Sequence, residues 1–234
     1  MKILFIGNSH TFFNDMPETF ADAAEAISGS RPETVMLAYG GRSLKWHSDE
    51  YFAMRYNLMY GGYDYCIIQQ QAHPFPGYEE TKEGLEPILR VCREADVRPV
   101  LYMPWAEKRF PENQEKITDC MQRLGREYGI EVAPVGLVWK EMLAVHPEID
   151  LFWRDGEHAS PAGDYLIALV LAMCVYKRTD FAWPSAAHDF ALGFPEIDFK
   201  HLVLQEDPSK TAFELDDDTV SAIASTAARV LEEM

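Results

Sequence analysis

The sequence predicts an α/β fold, a three-layer α/β/α sandwich in which a doubly wound parallel five-stranded sheet lies between helices in the flavodoxin-like manner. Three observations carry this expectation. Short apolar runs alternate with longer segments of helical period. The runs are continuously apolar rather than alternating, as strands buried on both faces require. The 234 residues, 47% hydrophobic and 12% aromatic, suffice for one domain with a sizeable core.

The strands are expected at 2–6, 34–38, 64–68, 98–103 and 130–135, followed by Gly7, Tyr39-Gly40-Gly41, Gln69, Pro104 and Gly136 respectively. The helices are expected near 16–28, 43–59, 79–95, 112–128 and 137–145. Ser160-Pro161 has the form of an N-cap followed by proline at the first helical position. The apolar stretch from Tyr165 to Tyr176 is then a sixth, largely buried helix. Residues 180–216 form an irregular excursion with little periodicity, and a last helix spans about 217–233. Residues 1–234 are thus read as a single domain. A strand order of 2-1-3-4-5 suits this pattern, although sequence alone does not fix it.

Formal net charge is -17, from 38 acidic and 21 basic residues. The resulting field repels nucleic-acid backbones and anionic membrane surfaces, so neither is expected as a partner. A neutral or cationic ligand is favoured over a polyanion. The four cysteines, at 66, 92, 120 and 174, form no CxxC pair and fit no zinc pattern, which points to a reducing compartment. No signal-peptide pattern is visible at Met1, and the apolar run 165–176 is too short to span a bilayer. A cytoplasmic location is expected; oligomeric state stays open.

Sites in open parallel sheets form at the carboxyl ends of strands. The segments there are Gly7-Asn8-Ser9-His10-Thr11, Gly40-Gly41-Arg42-Ser43, Gln69-Gln70-Gln71-Ala72-His73 and Pro104-Trp105, with Asp155-Gly156-Glu157-His158 before the long buried helix. They combine a hydroxyl, a histidine with a carboxylate three residues earlier, and several amide donors. Serine needs a base to act as a nucleophile, and His158 can be that base with Asp155 orienting it. The N–H groups of Ser9 and Gly41 and a glutamine amide, from Gln71 or Gln69, are candidate donors to an oxyanion. Gly41 suits close backbone approach to a ligand. Asn8, His10, His73 and Trp105 are candidate substrate contacts. Asn8 could instead orient the loop, the histidines could be structural, and Trp105 could be a sugar platform or core.

Ile-Gly-Asn-Ser-His-Thr, Gly41-Arg42-Ser43 and Asp155-Gly-Glu-His158 together resemble the first, second and last blocks of the SGNH (GDSL-like) serine hydrolases. Asn8 stands where the usual Gly-Asp-Ser has aspartate. The resemblance spans roughly residues 1–176. It implies the SGNH hydrolase fold, a Ser9–His158–Asp155 triad, no cofactor and no metal. Its third block usually carries an asparagine, whereas here the chain reads Gln69-Gln70-Gln71, as in some SGNH carbohydrate esterases. That implies a small acyl ester, such as acetyl, on a sugar or glycan fragment. Two other readings compete: a non-catalytic module binding a phosphate or flavin, and metal-dependent hydrolysis using His10, His47, His73, His158 and Asp155.

Overall fold

The first apolar run forms strand β1 (Lys2–Gly7), whose interior side chains are fully buried. In the computed structural model, which describes residues 1–184, 187–188 and 213–234, alternation along β1 divides the protein into two cores. Ile3 and Phe5 join one core; Leu4 and Ile6 join the other. Strands β2 (Glu33–Ala38), β3 (Tyr65–Gln69), β4 (Arg98–Tyr102) and β5 (Glu131–Ala133) complete a parallel sheet of order β2-β1-β3-β4-β5. This is the flavodoxin-like order. A separate antiparallel pair joins β6 (Ala187–His188) to β7 (Phe213–Glu214). The excursion expected at 180–216 lies mostly outside the described residues.

The helices in chain order are α1 (Ser9–Phe12), α2 (Met16–Ser28), α3 (Leu44–Asp49), α4 (Tyr51–Tyr60), α5 (Tyr78–Glu94), α6 (Asn113–Tyr128), α7 (Val135–Val145), α8 (Pro161–Tyr176) and α9 (Asp217–Glu232). Residues of α2, α7, α8 and α9 pack into the core containing Ile3 and Phe5; α3 to α6 supply the other. α8 is buried from Ala162 to Val175, which explains an apolar run without an amphipathic period. Ser160 caps it, accepting the Gly163 N–H at 3.2 Å, and Asp216 caps α9 by accepting the Thr219 N–H at 2.7 Å. No helix among the described residues is long and apolar enough to cross a membrane.

Two local expectations need correction. The single helix expected over 43–59 is two, because Glu50 leaves the helical region (φ -75°, ψ 46°) and redirects the chain. A short helix, α1, also begins at Ser9, immediately after β1. Its four residues are too few to show a period.

α3 approaches α5 across Gly84, where a Cβ would lie 2.3 Å from the Lys45 nitrogen and 2.6 Å from the Leu44 carbonyl carbon. Both obstacles are backbone, so no rotamer change relieves them. Gly84→Ala is expected to destabilise the fold by about 1–3 kcal/mol, read as a lower midpoint in urea unfolding.

Candidate active site

The turn out of β1 is fixed by amide hydrogen bonds. Asn8 caps α1 by accepting the His10 N–H at 3.0 Å, and its Nδ2 donates to the Arg42 carbonyl at 3.0 Å. Its own N–H donates to Gln69 Oε1 at 2.9 Å, and the Thr11 hydroxyl donates to the same oxygen at 3.1 Å. Gly7 makes room for this. A Cβ there would meet Thr11 Oγ1 at 2.3 Å and Gln69 Oε1 at 2.6 Å. His47, whose Nε2 donates to the Gly7 carbonyl at 2.7 Å, supports the same turn.

Asp155 and His158 share one loop. Its ends are tied by a bridge between Phe152 and Ala159, and the Trp153 N–H donates to the His158 carbonyl at 2.8 Å. Asp155 Oδ1 accepts the N–H groups of Glu157 (2.9 Å) and His158 (3.0 Å). Its Oδ2 lies 2.7 Å from His158 Nδ1, and His158 Nε2 lies 2.8 Å from Ser9 Oγ. Because Nδ1 donates to the carboxylate, Nε2 of the neutral ring is the acceptor facing the Ser9 hydroxyl. Burial raises the Asp155 carboxyl, but hydrogen bonds from the Glu157 N–H, the His158 ring and the His158 N–H outweigh it and leave it below its ordinary value.

Aromatic rings buttress His158. His10 and Phe13 lie nearly parallel to the His158 ring, with centroids at 4.9 and 4.5 Å. His10 meets His73 and Trp105 edge-on at 4.9 and 5.0 Å, and Trp105 stacks on Trp139 at 4.3 Å. Tyr102 Oη donates to the His10 carbonyl at 3.1 Å.

Several sequence expectations change here. Trp105 is fully buried, with its Nε1 donating to the Glu157 carbonyl at 3.0 Å, so it is core and not a sugar platform. Asn8 and His10 are also buried, and their polar atoms serve the loop and the ring stack rather than a substrate surface. The His73 side chain is 4% exposed, with Nε2 3.1 Å from the Trp105 carbonyl. Among the described residues, no group of three His, Cys, Asp or Glu side chains is placed to hold a metal ion.

The three glutamines have three fates. Gln69 is consumed within the loop: its oxygen takes two donors and its Nε2 donates to the Gln70 carbonyl. It is therefore not a free donor. Gln70 Oε1 accepts the N–H groups of Leu44 (3.0 Å) and Gln71 (2.8 Å), and so pins the start of α3. The side-chain amide of half-buried Gln71 has no hydrogen-bond partner among the described residues, and neither do the N–H groups of Ser9 and Gly41. At Gly41 the backbone itself favours glycine. A Cβ would meet nothing within 4 Å, but φ is +68°.

No family model matches the sequence, and no curated protein matches it. Similarity emerges in three dimensions. A DUF4886 family protein from Bacteroides uniformis superposes with a TM-score of 0.70 at 18% identity, over 99% of this chain and 95% of that one. An acetylxylan esterase from Geobacillus stearothermophilus gives 0.59 at 13% identity, over 78% and 95%. The psychrotrophic esterase EstA from Pseudoalteromonas sp. gives 0.56 at 13% identity, over 75% and 97%. The chain has the SGNH hydrolase fold. In this SGNH fold the ends of β1, β2 and β3 and the 152–159 loop converge at one sheet edge, which brings Ser9 and His158 together across 149 residues.

The same convergence buries titratable groups. Burial, with His73 and His158 nearby, holds the His10 imidazole well below its ordinary value of 6.5; burial also lowers His47 and His73. These rings stay neutral in the folded protein but take up protons once unfolded. Stability from them is present above about 6.5 and is lost as pH falls below it. Asp164 acts in the opposite sense: burial raises its carboxyl well above the ordinary value, so rising pH favours the unfolded, ionised form. Three depressed imidazoles outnumber one raised carboxyl, so the urea midpoint is expected to fall between about pH 7 and pH 5. His47→Gln should flatten this dependence and Asp164→Asn should steepen it.

Proposed function

We propose that this protein is a serine hydrolase of acyl esters, with Ser9 as nucleophile, His158 as general base and acid, and Asp155 as the group that orients and stabilises the imidazolium. The observation that carries this reading is the unbroken relay from Ser9 Oγ to His158 Nε2 at 2.8 Å and from His158 Nδ1 to Asp155 Oδ2 at 2.7 Å. As the Ser9 oxygen bonds to the ester carbonyl carbon, its proton passes to Nε2. The negative charge that collects on the carbonyl oxygen calls for fixed donors. The N–H groups of Ser9 and Gly41 and the Gln71 side-chain amide are assigned that role, since all three lack partners among the described residues. His158 then returns its proton to the leaving alkoxide, and water repeats the sequence on the acyl-enzyme.

The substrate assigned is a small acyl ester, acetyl being the simplest, carried on a carbohydrate. The likeness to an acetylxylan esterase supports this, as does the glutamine in the third loop.

A fluorophosphonate probe should label Ser9 in the folded protein. Ser9→Ala and His158→Ala should each lower p-nitrophenyl acetate turnover by about 10⁴–10⁶-fold. Full turnover in Ser9→Ala overturns the reading.

The two glutamines should separate cleanly. Gln71→Ala should lower kcat by about 100- to 1000-fold with the thermal midpoint unchanged. Gln69→Ala leaves the Asn8 N–H without its acceptor, and should destabilise the fold by about 1–3 kcal/mol.

A further inference from the structure

Stacking confines the His158 ring between the planes of His10 and Phe13, but dispersion resists sliding along those planes only weakly. Hydrogen bonds are directional, and two polar contacts cross from the Ser9 segment to the backbone beside His158. The carbonyls on either side of that residue belong to Glu157 and Ala159. His10 Nε2 lies 3.3 Å from the first, and Asn14 Nδ2 donates to the second at 3.2 Å. The His10 contact is divided. Its neutral ring carries one N–H, whereas two acceptors face it, the Glu157 carbonyl and Asn8 Oδ1 at 3.2 Å. The Asn14 amide has two N–H groups and an acceptor for each, the Ala159 carbonyl and Asp164 Oδ2.

The backbone around Asn14 is unusual. Asn14 takes φ +45° and Asp15 φ +58° in the turn between α1 and α2. Two consecutive left-handed residues without a glycine are strained, and they persist only where the surroundings over-determine them. Asparagine tolerates this conformation and brings a donor to it. Asn14 is buried, as is Asp164 in the first turn of α8. Among the described residues Asn14 is the sole hydrogen-bond partner of the Asp164 carboxyl. One side chain thus ties the Ser9 segment both to the end of the 152–159 loop and to the helix that follows it.

We infer that Asn14 is a positioning residue, whose amide sets the distance between the Ser9 hydroxyl and the His158 imidazole by holding the 152–159 loop against the turn after α1. Asn14 lies five residues after Ser9, and Ala159 directly follows His158, so the tie spans the same gap as the Ser9–His158 contact. Asn14 makes no hydrogen bond to Ser9 or His158 among the described residues, and acts through the backbone that carries them. The catalytic consequence rests on the ester-hydrolase reading; the tie itself rests on geometry alone.

Asn14→Gly keeps the left-handed turn accessible and removes both donors. It also leaves the Asp164 carboxyl buried without a partner, which lowers stability. The double variant Asn14→Gly/Asp164→Leu removes that orphan and should recover most of the urea midpoint. Both variants should lose about 10- to 100-fold in kcat for p-nitrophenyl acetate, with KM within about 2-fold, the scale expected when a reacting group is misplaced by about 1 Å. Hydrogen exchange reads the tie without a substrate. In the double variant the Glu157 and His158 N–H groups, which donate to Asp155, should lose about 10-fold in protection, while Leu4 and Ile67 in the central strands keep theirs. A kcat that returns to within about 2-fold of wild type as stability recovers makes Asn14 merely structural and overturns the inference. Loop protection that falls only in step with the strands also overturns it. Selective loss of loop protection, with no turnover of any ester by the wild type, keeps the tie and removes the hydrolase.

Discussion

The carboxamide oxygen of Gln69 is the point on which the site depends. It accepts from the Asn8 N–H and the Thr11 hydroxyl at once, and so clamps the turn after β1 to the end of the adjacent strand β3. An unpaired N–H in this buried turn would be costly, which makes the clamp a constraint and not an ornament. Asn8 extends it to the next loop through the Arg42 carbonyl, and Gln70 extends it to the start of α3. Three strand ends are thereby locked in register by side-chain amides. The backbone donors that would serve an oxyanion inherit their positions from these contacts.

His158 is held differently, by packing rather than by a network. The Asp155 bond fixes one ring nitrogen, while His10 and Phe13 confine the ring from its faces. Behind them Trp105 and Trp139 continue the stack into the core. Large rings with few rotamers transmit position efficiently, so His158 is referenced to the interior of the molecule.

Much of this was legible from the sequence because it is local or periodic. Continuous apolar runs mark strands buried on both faces, and the spacing of Asp155 and His158 within one turn is a local property. The strand-end rule then brings Ser9 to them without knowledge of any contact. What stayed hidden depends on neighbours far along the chain. Gln69, Gln70 and Gln71 are chemically identical, and only the contacts of Gln69 with Asn8 and of Gln70 with Leu44 set them apart from Gln71. Trp105 reads equally as surface or core until Trp139 is seen against it. The turn at Glu50 and the helix at Ser9 are too short to leave a period.

Asp155 and His158 sit three residues apart in a closed loop, whereas Ser9 arrives from the opposite end of the chain. The proposed triad is therefore two bodies, not three. A shift of the 152–159 loop carries Asp155 and His158 together and preserves their mutual geometry. It is the gap between imidazole and hydroxyl that absorbs the motion, so the tolerance of the site is concentrated in a single distance.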